Sequence, residues 1–487
     1  MLWAMDRSTK LAATLLLLTG AAHAACPGYS VCPAVDYRAE VARNPQAKAA
    51  LAAIDAEEAA TLVALQGNGL NFGQLVSLLG QALVLDKSLS VRGNEACAFC
   101  HDQPAGFAGG LPPFVPAGGV FPGSLTGRAG LRSPQSLAYA AFAPVLSWQA
   151  TAQQFVGGNF WDSRATGLIT GSPSADQASV PLTTPFEMAL PDPACAVRRV
   201  ALAPYGAVFG KVWGANALAI GWPAEVDAVC AHANNGGANQ TPLALSPSDR
   251  ARAALTVEQI GLTIGAFEES SLASPFSSKF DRVLAGMARF SAQERAGYAL
   301  FTGQGQCSAC HTVSGSRPLY TGFTSANIGV PRNGAVPYLS ENAADRLGYV
   351  ANPAGAAYVD EGLGGFLASA ADTNPQWQAL AGQFVGAFQV PTLRNVAARP
   401  RRAFPRSYMH NGFFTDLRTV VHFLNTRDVL PRCTGSEGVG VTCWPAPEVA
   451  ANLNTTQTGN LGLSKGQEGA VVAFLETLTD GYVAAGN

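Results

Sequence analysis

Apolar residues recur at helical spacing in two segments, each behind a polar residue that can cap a helix. The first starts with the capping box Ser291-Ala292-Gln293-Glu294, and its apolar stripe is Ala296, Leu300 and Phe301. The second starts with Ser464-Lys465-Gly466-Gln467, and its stripe is Val471, Phe474, Leu475 and Leu478. Both patterns predict amphipathic helices, and the first helix runs into the loop that carries Cys307.

Three long stretches rich in Gly, Pro, Ser and Asn separate the helical parts of the chain. They predict loops over residues 102–130, 231–248 and 312–380. Loops of this length in a compact protein usually cover a cofactor or carry function.

Composition and charge narrow the class of protein. Hydrophobic residues make up 48% of the 487 residues and charged residues 13%, which excludes a disordered polyelectrolyte. Lys plus Arg number 31 against 33 for Asp plus Glu, a formal net charge of −2. Nucleic acid is not expected as a partner, because no basic excess is present to neutralise phosphates.

The first 25 residues follow the order of a secretory signal peptide. Basic residues precede an apolar stretch from Leu11 to Leu18, and Ala22-His23-Ala24 supplies an A-x-A cleavage site. This stretch is far shorter than the ~20 residues that span a bilayer, and no later segment is long and apolar enough. We expect residues 1–25 to be removed near Ala24 and the mature protein to lie outside the cytoplasm without a membrane span. Cys26 leaves a lipid-modified N-terminus open as an alternative.

Ten cysteines divide by their spacing. Four of them form two Cys-x-x-Cys-His motifs, Cys97-Ala98-Phe99-Cys100-His101 and Cys307-Ser308-Ala309-Cys310-His311. The other six are an even number in an oxidising compartment, which predicts disulfides but leaves several pairings open. Pairing of nearest neighbours predicts Cys26–Cys32, Cys195–Cys230 and Cys433–Cys443.

The Cys-x-x-Cys-His motif is typical of c-type haem attachment. Two thiols at this spacing add to the haem vinyl groups, and the adjacent imidazole reaches the iron. A zinc ribbon would place its second cysteine pair ~15–20 residues after the first, whereas Cys100 and Cys307 are far apart in the chain. A thioredoxin-like dithiol would need a βαβ pattern, which is not evident. The sequence therefore predicts two covalently bound c-type haems, with His101 and His311 as iron ligands.

A helix that enters a Cys-x-x-Cys-His loop is typical of a cytochrome c domain, and the motif occurs twice. The predicted fold is mainly α, with two cytochrome c-like domains, each with one covalent haem, and long ordered loops. We place the domain boundary near Gly286, so that the domains span residues 26–286 and 287–487.

Several ordered stretches around the two motifs carry a resemblance to a known family. They are Phe160-Trp161-Asp162-Ser163-Arg164, Pro185-Phe186-Glu187-Met188, Phe280-Asp281, Pro391-Thr392-Leu393-Arg394-Asn395 and Tyr408-Met409-His410-Asn411-Gly412. Through them the chain resembles the bacterial di-haem cytochrome c peroxidase and MauG superfamily along nearly all of its mature length. The stretch from His422 to Asp428 is most similar to the MauG-like branch, which includes MbnH.

The resemblance implies roles for individual residues. The first haem is the peroxide-reactive one, with His101 as proximal ligand and Glu187 over its distal face. Gln177 and Pro181 match other residues of the distal pocket, and Trp161 matches a tryptophan that relays electrons between the haems. A lone Glu is usually a surface charge and a buried Trp usually core, so both roles depend on their motifs. The chemistry agrees, because splitting peroxide requires a group that moves a proton between its oxygens.

Departures from the family pattern concern the iron ligands. No His occurs between His101 and His232, so no loop histidine is expected to block the first haem at rest. Leu424 stands where the family has a Met or Tyr ligand of the second haem. That haem is therefore five-coordinate, or its ligand is Met409, His410, His422 or water.

A further departure concerns an inter-domain calcium ion, which the resemblance adds as a possible second cofactor. Arg132 stands where a ligand Asn is expected. Calcium would then be held only by carbonyl oxygens.

Together these observations predict a periplasmic di-haem oxidoreductase that uses hydrogen peroxide to oxidise an exported partner protein. An alternative is a peroxidase that draws electrons from a small redox protein such as a cytochrome. From other classes, a non-catalytic electron carrier would have no use for the acid Glu187, and a haem-based sensor would bind ligands without turnover.

Overall fold

The computed structural model describes residues 45–109, 119–125, 127–236, 242–400 and 406–483. The predicted signal peptide and the Cys26–Cys32 pair lie outside these residues. Within them the chain forms fourteen α-helices and four short strands. The helices are α1 Pro45–Leu65, α2 Phe72–Leu85, α3 Cys97–Cys100, α4 Pro173–Ser179, α5 Pro193–Leu202, α6 Gly206–Trp213, α7 Val226–Cys230, α8 Pro247–Glu269, α9 Lys279–Leu284, α10 Ala292–Thr302, α11 Gly362–Ala368, α12 Pro375–Gln378, α13 Leu417–Thr426 and α14 Lys465–Glu476.

The strands form two small antiparallel pairs. Strand β1 (Ser147–Gln149) pairs with β2 (Gln154–Val156), and β3 (Ser325–Ala326) pairs with β4 (Phe388–Gln389). In the second pair Ser325 lies opposite Gln389, so β4 ties a late segment of the chain to the loop after the second haem motif. The fold is thus mainly helical, as predicted.

The two capped helices begin where the sequence predicted. The hydroxyls of Ser291 and Ser464 accept from the third helical N–H, and the capping boxes of α10 and α14 are complete. Leu478 of the predicted stripe lies beyond the end of α14 but is fully buried. The helices pack closely because Gly297 has no side chain: a Cβ there would lie 1.9 Å from the Ala470 carbonyl oxygen.

Buried apolar residues gather into two main cores. One contains residues from Ile54 to Ala273, around α2 and α8. The other contains residues from Phe280 to Leu478, around α10, α13 and α14, with Trp444 and Phe474 fully buried. Each core adjoins one haem motif, since Cys97 packs against the first and Cys307 against the second.

The loop prediction for residues 312–380 is wrong in part. Helix α11, which has three glycines, lies inside it and buries Leu363 and Leu367 completely. These residues pack with Phe155 of β2 and Phe384, so burial outweighs the poor helix propensity of glycine. The prediction for 231–248 also runs too far, because Ser246 already caps α8.

Two of the three predicted disulfides are present, Cys195–Cys230 and Cys433–Cys443. Among the described residues, no helix combines the length and apolar character needed to cross a bilayer.

Candidate active site

Both Cys-x-x-Cys-His motifs open into one cavity of about 640 Å³. The first motif forms the single turn of α3 followed by His101, and the second begins with a 3₁₀ turn at Cys307–Ala309. The cavity wall includes all six motif residues predicted to hold haem: Cys97, Cys100, His101, Cys307, Cys310 and His311. The fold therefore brings together two motifs that are far apart in sequence.

Each motif histidine is oriented by a backbone carbonyl. His101 Nδ1 lies 3.0 Å from the Phe107 oxygen, and His311 Nδ1 lies 2.8 Å from the Tyr320 oxygen. Because a carbonyl can only accept, Nδ1 carries the proton and Nε2 keeps its lone pair. Burial also lowers the pKa of both histidines, that of His311 to about 4. Neutral imidazoles held in this way fit the role of iron ligands.

The motif cysteines fit haem attachment better than a zinc site. All four are outside disulfides. Burial raises the pKa of Cys97 and Cys307 to about 12, so both thiols are neutral unless a bound group deprotonates them. In the described part of the chain, no group of three or more His, Cys, Asp or Glu side chains is placed to hold a metal ion.

Glu187, Gln177 and Pro181 line the same cavity as His101. Gln177 is carried by α4, which approaches α8 at Gly261, where a Cβ would lie 2.4 Å from the Ala175 oxygen. The backbone of Glu187 is tied on both sides: its N–H donates to the Thr184 oxygen at 3.0 Å, and its oxygen accepts from Ser124 at 2.9 Å.

The carboxyl group of Glu187 has a raised pKa. Burial raises it, and the nearby Arg164 charge and a hydrogen bond from Thr184 offset part of this effect. A carboxyl whose pKa is raised holds a proton more readily than an exposed carboxylate, and it can both accept and return one.

Trp161 also lines the cavity, at the tip of a tight turn. Phe160 and Ser163 on either side adopt positive φ angles of 67° and 58°, and Asn159 and Ala165 close the turn by mutual backbone hydrogen bonds. A positive φ angle costs free energy in a residue other than glycine, and such residues cluster at functional sites. The turn projects the indole toward both motifs' shared cavity.

Arg132 occupies the position where the resemblance suggested calcium. Its guanidinium lies 2.7 Å from Asp162 Oδ2 and 2.7 Å from Asp360 Oδ1, and both aspartates are buried. Burial alone would raise the pKa of Asp360, but the Arg132 charge outweighs it and brings the pKa to about 2. The two carboxylates already have a cation between them, which would repel a second one. These residues do not fit a calcium ion.

The candidates for the sixth ligand of the second haem differ in whether they line the cavity. Leu424, Met409 and His410 all line the cavity. His422 is not among the described residues of the cavity wall, and its Nδ1 lies 2.8 Å from Glu468 Oε1 on α14. His410 stacks on Phe388 with ring centroids 3.5 Å apart, and its Nε2 has no hydrogen-bond partner.

Two further acids in the cavity wall could not be identified from the sequence. Glu95 and Glu268 are almost fully buried, and burial raises the pKa of each well above its usual value. Lone acidic residues are usually exposed, so nothing in the sequence pattern signals their position.

Comparison with known proteins decides the family. A family model described as di-haem cytochrome c peroxidase matches residues 76–289, which include the first motif, Trp161 and Glu187. The methylamine utilization protein MauG of Paracoccus denitrificans is 32% identical over 413 residues, covering 83% of this chain and 88% of MauG. The chain belongs to the di-haem cytochrome c peroxidase and MauG family.

This di-haem family member is similar to several other proteins. The cytochrome-c peroxidase IdrP1 of Denitromonas iodatirespirans is 24% identical, over 82% of this chain and 80% of IdrP1. The diheme peroxidase BthA from Burkholderia thailandensis is 28% identical in sequence to this chain. Its crystal structure matches the fold with a TM-score of 0.61, over 83% of this chain and 86% of BthA. A MauG-like protein associated with microbial copper homeostasis shares the fold, with a TM-score of 0.52 and 20% identity. The family resemblance predicted from sequence is confirmed, and the chain is a peroxide-using di-haem oxidoreductase.

Proposed function

We propose that this family member is exported to the periplasm, carries two covalent c-type haems, and uses hydrogen peroxide to oxidise side chains of a partner protein. The observation that carries the proposal is the shared cavity, because Glu187, Trp161 and both haem motifs line it together. A simple electron carrier has no use for a buried acid beside its haem. The 32% identity to MauG supports the MauG-like form of the reaction.

When bound, the haem irons supply peroxide binding and the redox equivalents of the reaction. Cys97 and Cys100 would anchor the first group and His101 would hold its iron, while Cys307, Cys310 and His311 would do the same for the second. The two apolar cores, one beside each motif, support a division into two haem domains. We place these domains at residues 26–286 and 287–487, although Phe280 already packs in the second core.

Glu187 would move the proton that peroxide cleavage requires. Its carboxylate accepts a proton from the first peroxide oxygen and returns it to the departing oxygen, which leaves as water. Gln177 and Pro181 line the cavity beside it and would shape the space in which peroxide binds. Because no loop histidine lies between His101 and His232, this space is expected to be open without prior reduction.

Trp161 would connect the two haem sites as an electron relay. It lies in the cavity shared by both motifs, and its ring is in edge-to-face contact with His410 at 6.4 Å. An indole can lose and regain one electron, so that two oxidising equivalents are shared between the haem sites.

The proposal is tested by incubating the purified holo-protein with peroxide and fractionated exported proteins of its source, followed by mass spectrometry. We expect one partner protein to gain oxygen or lose hydrogen at defined side chains, and Glu187→Gln to abolish this change. If peroxide is consumed only when a small reduced cytochrome is added, and no protein is modified, the chain is a cytochrome c peroxidase. If no peroxide is consumed under either condition, the enzymatic proposal is wrong.

A further inference from the structure

Two tyrosines share the wall of the cavity and are followed in the chain by exposed residues. Tyr338 lies in a 3₁₀ turn at Pro337–Ser340, and Tyr358 follows the turn at Gly355–Ala357. Their rings meet edge to face with centroids 5.4 Å apart. Both are half-buried, and their neighbours Ser340 and Val359 are exposed. Two other tyrosines of the wall, Tyr139 and Tyr408, are buried.

The pair is connected to the proposed peroxide pocket. Phe186, the residue before Glu187, makes an edge-to-face contact with Tyr338 at a centroid distance of 6.4 Å. An aromatic contact therefore runs from the segment that carries the distal acid to the first tyrosine.

The pair is also connected to the proposed relay. Asp360, two residues after Tyr358, is paired with Arg132, and Arg132 is paired with Asp162, the residue after Trp161. The charges of all three groups act on the Tyr358 phenol. Tyr358 thus lies within the electrostatic range of an ion-pair network, one member of which, Asp162, follows Trp161 in the chain.

Tyr338 has a base nearby. Glu341 lies three residues further along the turn, its Oε2 is buried without a hydrogen-bond partner, and its charge acts on the Tyr338 phenol. Burial raises the pKa of Glu341 to about 7, with Arg128 lowering it and Asp345 raising it further. Such a carboxylate can accept a proton at neutral pH. Oxidation of a phenol requires this, because the phenol loses its proton together with the electron.

We infer that Tyr338 and Tyr358 are redox-active residues that carry oxidising equivalents from the cavity to the protein surface, with Glu341 as proton acceptor for Tyr338. The inference deepens the proposed function and rests on it, since peroxide is the oxidant. Hydrogen peroxide takes two electrons and two protons, its O–O bond breaks, and two waters form. Each tyrosine supplies one electron, and its phenolic proton passes to Glu341 or to solvent. A partner side chain then returns one electron and one proton to each phenoxyl.

The test uses the holo-protein with hydrogen peroxide alone, freeze-quenched for EPR and followed in parallel by stopped-flow at the Soret band. We expect a tyrosyl radical signal that narrows when the protein contains ring-deuterated tyrosine. The signal should be lost in Tyr338→Phe/Tyr358→Phe and retained in Tyr349→Phe, a nearby tyrosine that packs on Arg128. Glu341→Gln should slow its appearance by about 10²–10⁴-fold, the usual effect of removing a positioned proton acceptor.

The outcomes separate the inference from the function on which it rests. A normal Soret change without a tyrosyl signal, or with a signal that persists in the double variant, overturns the inference and leaves the proposed function intact. Absence of any Soret change in the wild-type protein overturns both. Haem content and the resting spectrum of each variant show that a lost signal does not come from misfolding.

Discussion

The indole nitrogen of Trp161 donates a hydrogen bond to the backbone oxygen of Ser133, at 2.8 Å. The Ser133 N–H in turn donates to the His410 oxygen at 2.7 Å, so the backbone of one residue, Ser133, links the indole to the loop that carries His410. A peptide carbonyl is a hydrogen-bond acceptor but not a base. If Trp161 gives up an electron it therefore keeps its proton, and its oxidation is readily reversed, as a relay requires.

Replacing Trp161 should separate the two haem sites. Trp161→Phe keeps an aromatic ring but raises the oxidation potential of the bridge and removes the bond to Ser133. We expect the first spectral change with peroxide to be retained and oxidation at the second haem site to be slowed. Stopped-flow spectra and Mössbauer spectra of freeze-quenched samples would measure this. Oxidation of both sites at the wild-type rate would show that no relay through Trp161 is needed.

Replacing Glu187 should slow the first step. Glu187→Gln keeps the size of the side chain but removes the proton acceptor. The rapid Soret change should slow by about 10²–10⁴-fold. Glu448→Gln is a matched control, because Glu448 also lines the cavity but pairs with Arg332. An unaffected rate in Glu187→Gln, or an equal loss in the control, would remove Glu187 from the proposed mechanism.

We expect Arg132, and not a metal ion, to join the segments that carry Asp162 and Asp360 and to stabilise the fold in this way. Arg132→Leu leaves Asp360 buried without its cation and Asp162 with Arg164 alone. Removing one partner of a buried ion pair typically costs about 3–5 kcal/mol. The exposed pair Arg198–Asp227 is the control, since solvent screens an exposed ion pair and its loss changes stability little. Chemical unfolding measures both. We also expect EDTA and added calcium to leave the unfolding midpoint of the wild-type protein unchanged. A midpoint that falls with EDTA would show that a metal site exists elsewhere.

The same ion pair predicts how stability depends on pH. The folded-state pKa of Asp360, about 2, is below its ordinary value near 4. The stabilisation is therefore complete above about pH 4 and is lost as the pH falls from there toward 2. The shift corresponds to about 2 kcal/mol. The free energies of unfolding of the wild-type protein and of Asp360→Asn should therefore converge as the pH falls through this range. A difference between the two free energies that does not change with pH would contradict a stabilising role for the Asp360–Arg132 pair.

Local patterns could be predicted from the sequence, and distant contacts could not. Ser291 and Ser464 mark their helices because a capping box is complete within four residues. The pairing of Arg132 with Asp360 joins residues 228 positions apart, and no periodicity or spacing signals it. Helix α11 was missed because glycines predict a loop, whereas its stability comes from burial of Leu363 against residues elsewhere in the chain.

The residues of the candidate site also divide into those that a local sequence pattern predicts and those that it does not. Glu187 and Trp161 could be singled out only through short motifs that resemble a family. The tyrosine pair could not, because Tyr338 and Tyr358 belong to a stretch that was predicted to be loop.

Leu424 stands where the family resemblance predicts a Met or Tyr ligand of the second haem. Its side chain lines the cavity but has no lone pair to offer an iron, and His422 is bonded to Glu468 on the neighbouring helix. We therefore expect the ferric protein to lack a Met–haem charge-transfer band and to show a high-spin contribution from both haems. Leu424→Met should create a low-spin, Met-ligated haem with a raised potential, because a thioether favours the ferrous state. Leu417→Met, two turns earlier on α13 and also in the cavity wall, is the matched control and should leave the spectrum unchanged. A near-infrared Met–haem band already present in the wild-type protein would identify Met409 as the ligand. An unchanged spectrum in Leu424→Met would show that this residue does not face the second iron.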